Sequence, residues 1–452
     1  MHEQMIQKKR GDIACEASQS LAAMPSRKSK HSIHHLGERT PIRMKFTATQ
    51  QQFHRGLALV GHAVPARPTL PIQSSILSIV DGERIRLSAT SEDMGIHCWI
   101  KAEEIVETGR TLFPAKLISD VVGNLPASPV TITAPSPQDQ TACHIACQRI
   151  SAEIKNAGED PDEFPEMASY EQGGERLLFL DTALLKQIIG QVAFAAADTD
   201  NRPALTGLLI SIREGKALFA ATDRFRLAMR TIALPDEQLR CEVLAPARTL
   251  IVLAKILPPN ATVQVILPRG GNQLLFHTDG MDLATRVLNE TYLDIRSILQ
   301  REYTTRVILR TQELAAATRL MLPFAQASEH KIRLSISGEE GIGGQTGKEP
   351  NTVTIEAASP DLGRNEQVLF AQVEGPPQRV ALNIGYLADV LAVIQEAEVA
   401  LELISPSLPV AVKPVGPTNY IYVMASIDDP EIVAAQAQNA VQSRPDQASV
   451  AA

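Results

Sequence analysis

The sequence predicts an α+β fold built from three tandem copies of one unit, in which two helices pack on an antiparallel sheet. The prediction rests on a recurring order of elements. An alternating stretch typical of a strand closes on a pair of small residues three times, at 89–90 (Ala-Thr), 221–222 (Ala-Thr) and 358–359 (Ala-Ser). A helix-like segment begins 25 residues after the alanine of each pair. A constant offset of this kind indicates one unit repeated along the chain.

Two sets of helix-like segments provide the helices of the repeated unit. In each segment the apolar residues recur three and four positions apart, as they do along one buried face of a helix. One set follows the strands and begins at Pro114, Pro246 and Asn383. Proline suits a first helical turn because its missing N–H is not needed there. The other set opens the units and begins at Thr47, Asp181 and Arg310.

Strands follow the first helix of each unit. An Arg-Pro pair introduces them in the first two units, at 67–68 and 202–203. The third unit instead reads HKIRLSIS from His330 and continues into a long Gly-rich loop. Polar stretches at 166–176 and 300–301 separate the units. We therefore predict domains at 44–172, 173–300 and 301–428.

The two ends of the chain lack the repeated pattern. Residues 1–43 carry eight Lys/Arg against four Asp/Glu, without usable periodicity. We expect a disordered basic leader, a mis-assigned start upstream of Met44, or an arm that binds nucleic acid. Residues 429–452 end in a stretch rich in Ala, Gln and Ser, for which we expect a disordered tail.

Composition restricts the class of protein. The chain is 44% hydrophobic and 21% charged, with a net charge of −8. No apolar run approaches the ~20 residues of a membrane span, so we expect a soluble globular protein. Five scattered cysteines without a signal peptide fit a reducing cytoplasm. Cys143, His144 and Cys147 have metal-like spacing but no second pair of ligands, and we predict neither a metal site nor a cofactor.

Motifs of the common enzyme classes do not occur. The sequence has no Gly-rich phosphate loop followed by Lys-Ser or Lys-Thr, no GxGxxG, no HExxH and no GxSxG. The acidic pairs at 103–104 and 428–429 lie in polar stretches, where we expect solvated faces rather than catalytic dyads. We therefore expect a non-catalytic binding or scaffold protein. The rival hypothesis is an enzyme whose site has no familiar motif.

Several stretches, in their order and spacing, resemble the bacterial sliding clamp, the β subunit of DNA polymerase III. They are RPTLPI, EDPDEFP, RPALTG, ATDRFRLA, NIGYLADVL, and SPSLPVAVKP followed by NYIYVM. The resemblance covers about Met44 to Ile427. It implies three similar domains per chain and two chains closed head-to-tail into a ring, with helices around the hole and sheets outside. It also implies that the ring encloses duplex DNA and tethers polymerase to it, with no chemistry of its own.

Basic residues on the predicted helices are the candidates for DNA contact. Phosphate contacts from such side chains are long-range and blind to sequence, as sliding requires. The candidates are Arg55, Lys116, Lys186, Arg248 and Lys255, together with His54 and Arg319. The alternative for each is a solvated helix face. By resemblance, Arg67 is the strongest single candidate, with anchoring of the turn before Pro68 as its alternative role, and Arg202 completes the set.

The resemblance also implies a pocket between the second and third domains that receives short peptides from polymerases, the clamp loader and repair proteins. Apolar side chains would anchor a hydrophobic peptide residue there, and polar neighbours would orient its backbone. The positions carried over are Leu205, Thr222, Arg224, Phe225, Arg226, Leu227, Leu293, Ile298, Asn383, Tyr386, Pro409 and Met424. For the Leu and Ile positions the alternative is ordinary core.

Two pocket segments depart from the family pattern. After Met424 the chain reads Ala-Ser where the family has Pro, and YLDIRSIL from Tyr292 replaces the usual Phe-Pro-Asn/Asp-Tyr-Arg. A diverged paralogue that binds peptides without encircling DNA is therefore the alternative to a sliding clamp. Within the pocket, we expect Asp223 to stabilise its turn by accepting backbone N–H bonds. Residues 224–227 differ from the other two copies, and we expect them to bind the partner.

Overall fold

The computed structural model describes residues 44–135, 142–155, 158–199, 202–295, 302–337 and 351–432. All of them belong to one compact unit, Ile42–Ala452. The helices are α1 (Gln50–Gly61), α2 (Ala115–Gly123), α3 (Thr182–Val192), α4 (Ala247–Ile256), α5 (Thr311–Gln326) and α6 (Ile384–Val393). Each of the six helix-like segments of the sequence contains one of them. None of these helices is long and apolar enough to cross a membrane.

The strands repeat in the same order in each copy. In the first copy they are β1 (Met44–Thr49), β2 (Ser75–Asp81), β3 (Arg84–Thr90), β4 (Met94–Lys101), β5 (Glu104–Glu107), β6 (Gly109–Pro114), β7 (Pro129–Ala134), β8 (Cys143–Cys147) and β9 (Ile150–Ile154). In the second they are β10 (Gly174–Asp181), β11 (Gly207–Arg213), β12 (Lys216–Thr222), β13 (Arg226–Ala233), β14 (Cys241–Pro246), β15 (Thr262–Pro268), β16 (Gln273–Thr278) and β17 (Met281–Arg286). In the third they are β18 (Thr305–Arg310), β19 (Lys331–Ile336), β20 (Thr352–Ser359), β21 (Gly363–Phe370), β22 (Gln372–Glu374), β23 (Gln378–Asn383), β24 (Glu398–Leu403), β25 (Val410–Pro414) and β26 (Tyr420–Met424).

Two of the four sheets formed by the described residues continue from one copy into the next, which confirms the α+β fold of adjoining units. The eight-stranded sheet has the order β10-β15-β16-β17-β4-β3-β2-β6, and the nine-stranded sheet has the order β14-β11-β12-β13-β26-β25-β24-β18-β22. The junctions are antiparallel pairs, β17 with β4 and β26 with β13. A five-stranded sheet, β5-β1-β7-β8-β9, and a four-stranded sheet, β21-β20-β19-β23, occupy the two ends.

The helices bury one face against these sheets. On α1, Phe53, Leu57 and Val60 are fully buried, and the ring of Phe53 meets that of Phe46 edge-on with 5.7 Å between centroids. Burying each such side chain contributes roughly 2–3 kcal/mol. The helices pack in pairs within each copy, and α3 also contacts α6 across the second junction.

The strands that follow the Arg-Pro pairs start later than the sequence pattern indicates. Short 3₁₀ turns, Pro71–Ser74 and Pro203–Thr206, precede β2 and β11. Proline at the first position of each turn fixes φ near the helical value and supplies no N–H to a ladder. The strand therefore begins only after the turn ends.

The segment between the first and second copies packs tightly on the first junction. A Cβ atom added at Gly95 on β4 would lie 1.5 Å from Sδ of Met167. We expect Gly95→Val to displace Met167 and to lower the free energy of unfolding by about 1–3 kcal/mol, the usual cost of overpacking. The urea midpoint measures this effect. Gly61→Val is the control, since a Cβ there meets nothing within 4 Å, and an equal loss in both variants would contradict the proposed packing.

The chain continues past β26 along the edge of the third copy. The N–H of Ile427 donates to the carbonyl of Ala381 over 2.8 Å, and Asp429 is 2% exposed. Its carboxylate lies 2.8 Å from Nε of Arg333 and 3.2 Å from Nζ of Lys331. The expectation of a solvated face at 428–429 is therefore wrong for Asp429. Residues 429–432, assigned from sequence to the tail, are described here and end in the buried Ile432.

The ion pairs of Asp429 make this anchor sensitive to acid. Burial opposes ionisation, but the bonds from Arg333 and Lys331 outweigh it and lower the pKa of Asp429 to about 2. A lowered pKa in the folded state gives stability that is present above about pH 4 and lost as the pH falls towards 2. We expect Asp429→Asn to cost about 1–2 kcal/mol at pH 7 and less at pH 3. Urea unfolding at both pH values tests this, and a difference independent of pH would contradict it.

Candidate functional site

A groove of about 320 Å³ opens at the junction of the second and third copies. It lies on the face of the nine-stranded sheet opposite the helices, because Leu227 and Val423 belong to a cluster separate from the helix-bearing core. The lining residues are Thr222, Arg224, Phe225, Arg226, Leu227, Tyr303, Glu402, Ile404, Pro409, Ala411, Lys413, Ile421, Val423 and Ala425.

The mouth of the groove is the tip of the β12–β13 hairpin. Oγ1 of Thr222 donates to the carbonyl of Arg226 over 2.6 Å and accepts from the N–H of Arg224 over 3.1 Å. Oδ1 of Asp223 accepts from the N–H groups of Phe225 and Arg226, over 3.0 and 2.9 Å. The expected role of Asp223 in stabilising the turn is thereby confirmed. The tip also pairs with the last strand, since the N–H of Ala425 donates to the carbonyl of Phe225.

Arg226 joins the second copy to the third. Its guanidinium donates to Asp223 over 2.9 Å and to Asp389 on α6. It also lies 4.7 Å from the ring centroid of Tyr386 and 5.5 Å from that of Phe194. Burial opposes the charge, but the bond to Asp389 and the nearby acidic groups raise the pKa of Arg226. These contacts make Arg226 a fixed structural link beside the groove.

Six of the pocket residues named from the sequence line the groove: Thr222, Arg224, Phe225, Arg226, Leu227 and Pro409. Phe225 is the large apolar side chain that they offer to solvent, with 57% of its surface exposed. A local stretch, ATDRFRLA, supplies five of the six, which is why the sequence identifies them.

The other named residues lie elsewhere. Met424 pairs with Arg226 and is fully buried in the helix-bearing core, whereas its neighbour Val423 faces the groove beside Leu227. Leu205 is 1% exposed in the turn before β11. Asn383 caps α6 by accepting from the N–H groups of Gly385 and Tyr386. Leu293 is 41% exposed but does not line the groove, Tyr386 contacts Arg226, and Ile298 lies outside the described residues.

The floor of the groove contains residues that the sequence analysis missed. Lys413 on β25 forms an ion pair with Glu402 on β24, and Nε of Arg306 lies 3.9 Å from the same carboxylate. Ala411, Ile421 and Val423 supply apolar surface beside this pair. The available signal was the alternation of side chains between the two faces of β25 and β26. That alternation does not indicate which of the two faces is accessible to a ligand. The combination of apolar surface and fixed charge suits an extended peptide.

An equivalent surface at the first junction is already covered by chain. At the first junction Ala284 on β17 pairs with Gly95 on β4. These two positions correspond to Val423 on β26 and Leu227 on β13, which pair at the second junction. The ring of Tyr170 stacks on His277 with 3.7 Å between centroids. Its N–H donates to Asp282 over 2.7 Å. This face of the repeated sheet therefore holds a segment of chain in at least one copy, and that segment ends in a short 3₁₀ helix, Tyr170–Gln172.

The helices carry more basic than acidic side chains. The basic residues are Arg55, Lys116, Lys186, Arg248, Lys255 and Arg319, and the acidic residues are Asp120, Glu313 and Asp389. Two of the three acids are paired, Glu313 with Arg310 and Asp389 with Arg226. Among the basic residues only Lys186 is half-buried and the others are exposed, although Arg248 also donates to the carbonyl of Asp198. Arg67 and Arg202 are exposed just before the two 3₁₀ turns.

The cysteines do not form a metal centre in the part of the chain that the structure describes. Cys143 and Cys147 are buried on β8, and burial raises the pKa of Cys143 to about 12. His144 instead contacts Glu153, with 3.2 Å between Nδ1 and Oε1. No group of three or more His, Cys, Asp or Glu side chains within the described ranges is arranged to hold a metal ion.

Three consecutive family models match the three copies. They are the N-terminal domain of the DNA polymerase III β subunit at residues 44–168, the central domain at 179–294 and the C-terminal domain at 296–428. The chain belongs to the DNA polymerase III β subunit family. The order of the three models along the chain is that of the three copies in the fold.

Relatives in this β subunit family match over most of their length. The beta sliding clamp of Synechococcus elongatus is 28% identical over 391 residues, which cover 85% of this chain and 99% of the relative. The beta sliding clamp of Bacillus subtilis is 27% identical over 380 residues, which cover 82% of this chain and 96% of the relative. The solved sliding clamp of Bacillus subtilis aligns with a TM-score of 0.78 at 24% identity, over 86% of this chain and all of that one. The β subunit of the DNA polymerase of Streptococcus pyogenes aligns with a TM-score of 0.77 at 24% identity, over 85% of this chain and all of that one.

Proposed function

We propose that the chain is a DNA sliding clamp, a processivity factor that encircles duplex DNA and tethers polymerase and other partners to it. The observation that carries this proposal is the threefold copy, in which one sheet joins the first copy to the second, another joins the second to the third, and the helices carry more basic than acidic side chains. We assign the protein no catalytic role, because the groove offers an ion pair and apolar surface but no nucleophile beside a base. We expect it to act in the cytoplasm.

The two end sheets support closure into a ring of two chains. In the second and third copies the counterparts of β9 are β17 and β26, and in the first and second copies the counterparts of β21 are β4 and β13. These counterparts pair at the internal junctions, β17 with β4 and β26 with β13. In this chain β9 and β21 are edge strands. Exposed apolar side chains lie on them, with Ile150 45% exposed on β9 and Phe370 70% exposed on β21. We infer that β9 of one chain pairs with β21 of a second, head-to-tail, which closes six copies into a ring and leaves neither of these two edges unpaired.

The helical face is the proposed DNA-facing surface. Its basic excess contrasts with the net charge of −8 for the whole chain. Contacts from these side chains to phosphate are independent of sequence and weaken with salt, so a ring that bears them slides. We assign DNA contact to Arg55, Lys116, Lys186, Arg248, Lys255, Arg67 and Arg202.

The groove is the proposed docking site for partner proteins. We infer that a short extended peptide from polymerase, from the clamp loader or from a repair protein lies across Leu227, Val423 and Ala411. The support for this is the first junction, where an equivalent surface holds residues 167–170 of the chain itself.

Retention on DNA tests the ring. We expect the protein, once loaded with its own loader on nicked circular duplex, to stay with the DNA through gel filtration, because topology rather than affinity holds it. Linearising the same DNA with a restriction enzyme should release it. Equal retention on circular and linear DNA would contradict encirclement and favour a clamp-fold protein that only binds peptides.

A further inference from the structure

The hairpin tip at the mouth of the groove has a backbone that suits glycine but carries arginine. The N–H of Asp223 donates to the carbonyl of Arg226 over 3.3 Å, which leaves Arg224 and Phe225 as a two-residue loop. Arg224 has φ of 82°, and Phe225 is not among the described residues with positive φ. A positive φ at the first loop residue is the pattern of a type II′ turn, in which that position favours glycine. A residue with a Cβ is accommodated there only at an energetic cost.

The other two copies make the corresponding turn without that cost. In the first copy, Glu92 and Asp93 occupy the tip and neither has positive φ. In the third copy Asp361 and Leu362 occupy the tip without positive φ, and the left-handed residue is Gly363, which already pairs with Ser359. The fold therefore does not require arginine at 224. A strained residue in a binding groove points to a role for its side chain.

The segment that covers the equivalent surface at the first junction supplies a probe for the groove, because it combines acidic with apolar side chains. Residues 163–172 read EFPEMASYEQ, three carboxylates among the apolar side chains of Phe164, Met167 and Tyr170. Arginine binds a carboxylate through two parallel N–H groups, and lysine through one point charge. Arg224 stands beside the exposed ring of Phe225, so the tip presents a cation and an apolar surface together.

We propose that Arg224 is a specificity-determining residue that selects partner peptides with an acidic residue next to the apolar residue held by Phe225. This inference rests on the proposed docking of peptides in the groove. The guanidinium fixes the acidic side chain of the ligand at the mouth, while Phe225, Leu227 and Val423 together hold its apolar neighbour.

The test uses two synthetic peptides and fluorescence anisotropy with the full chain. One peptide is EFPEMASYEQ, and the other has its three Glu replaced by Gln. We expect the wild type to bind the acidic peptide about ten times more tightly, and Arg224→Gly to remove this difference while leaving the Gln peptide unchanged within two-fold. Arg224→Lys should keep part of the preference. Arg224→Gly should also raise the thermal midpoint, since it relieves the backbone.

Glu214→Gly is the matched control. Glu214 also has positive φ, of 52°, in the loop between β11 and β12, and it does not line the groove. It should raise the thermal midpoint without changing the affinity for either peptide. Equal binding of both peptides by the wild type, or a preference that survives in Arg224→Gly, would overturn the role of Arg224 and leave peptide docking intact. Failure of both peptides to bind would overturn docking and this inference together.

Discussion

A Phe370→Lys variant is expected to be a single chain in solution, with dimerisation weakened at least 100-fold. Phe370 is 70% exposed at the end of β21, and Val368 on the same face is 59% exposed. In the proposed ring this face meets β9 of the second chain. Charging an apolar residue that an interface buries costs about 2–4 kcal/mol, whereas the exposed side chain contributes little to the fold of one chain. Light scattering after gel filtration measures the mass.

Phe179→Lys is the control for this variant. Phe179 is 58% exposed on β10, which is also an edge strand, but the repeat gives that edge no partner. Phe179→Lys should leave the dimer intact and its retention on circular DNA unchanged, whereas Phe370→Lys should abolish both the dimer and the retention. A dimer that survives Phe370→Lys would place the contact between chains elsewhere.

A Phe225→Ala variant is expected to bind partner peptides at least ten-fold more weakly while unfolding at the same temperature. Its ring is 57% exposed at the hairpin tip, so removing it costs the fold little. Aromatic residues at the centre of an interface commonly contribute about 2 kcal/mol or more to binding. Calorimetric titration with a peptide from the polymerase of the same cell measures the change.

Leu362→Ala is the matched control, because Leu362 is 56% exposed in the corresponding turn of the third copy. It removes a similar area of exposed apolar surface at a site outside the groove. An equal loss of peptide binding in both variants, or no loss in Phe225→Ala, would contradict docking at the second junction.

The repeat was predictable from sequence because its signals are local. The 25-residue offset, the helical periods and the turn at Asp223 depend on neighbours in the chain, and the structure has each of them. The pairing of β13 with β26 depends on residues about 200 positions apart, and no local pattern fixes its register. Met424 was named by resemblance to the family, and a shift of one residue along the strand exchanges Val423 with Met424 on its two faces.

The partners of charged side chains on and after the strands could not be predicted from the sequence either. No role was predicted from the sequence for Lys413, and Asp429 was placed in a solvated acidic pair and at the start of a disordered tail. Both are paired, with Glu402 and with Arg333, across elements that only the folded chain brings together. By contrast, Arg224 and Phe225 were identified because they interrupt a stretch that is otherwise similar in all copies.

The continuity of the sheets has a mechanical consequence. Within one chain, each junction between copies is crossed both by a strand ladder and by a covalent connection. In the proposed ring, the contact between two chains has the ladder alone. Links in series yield at the weakest one, and bending force applied to the ring therefore separates β9 from β21 before it disturbs either internal junction. In such a ring, entry of DNA would need only that one contact to part, while the strand ladders inside both chains stay paired.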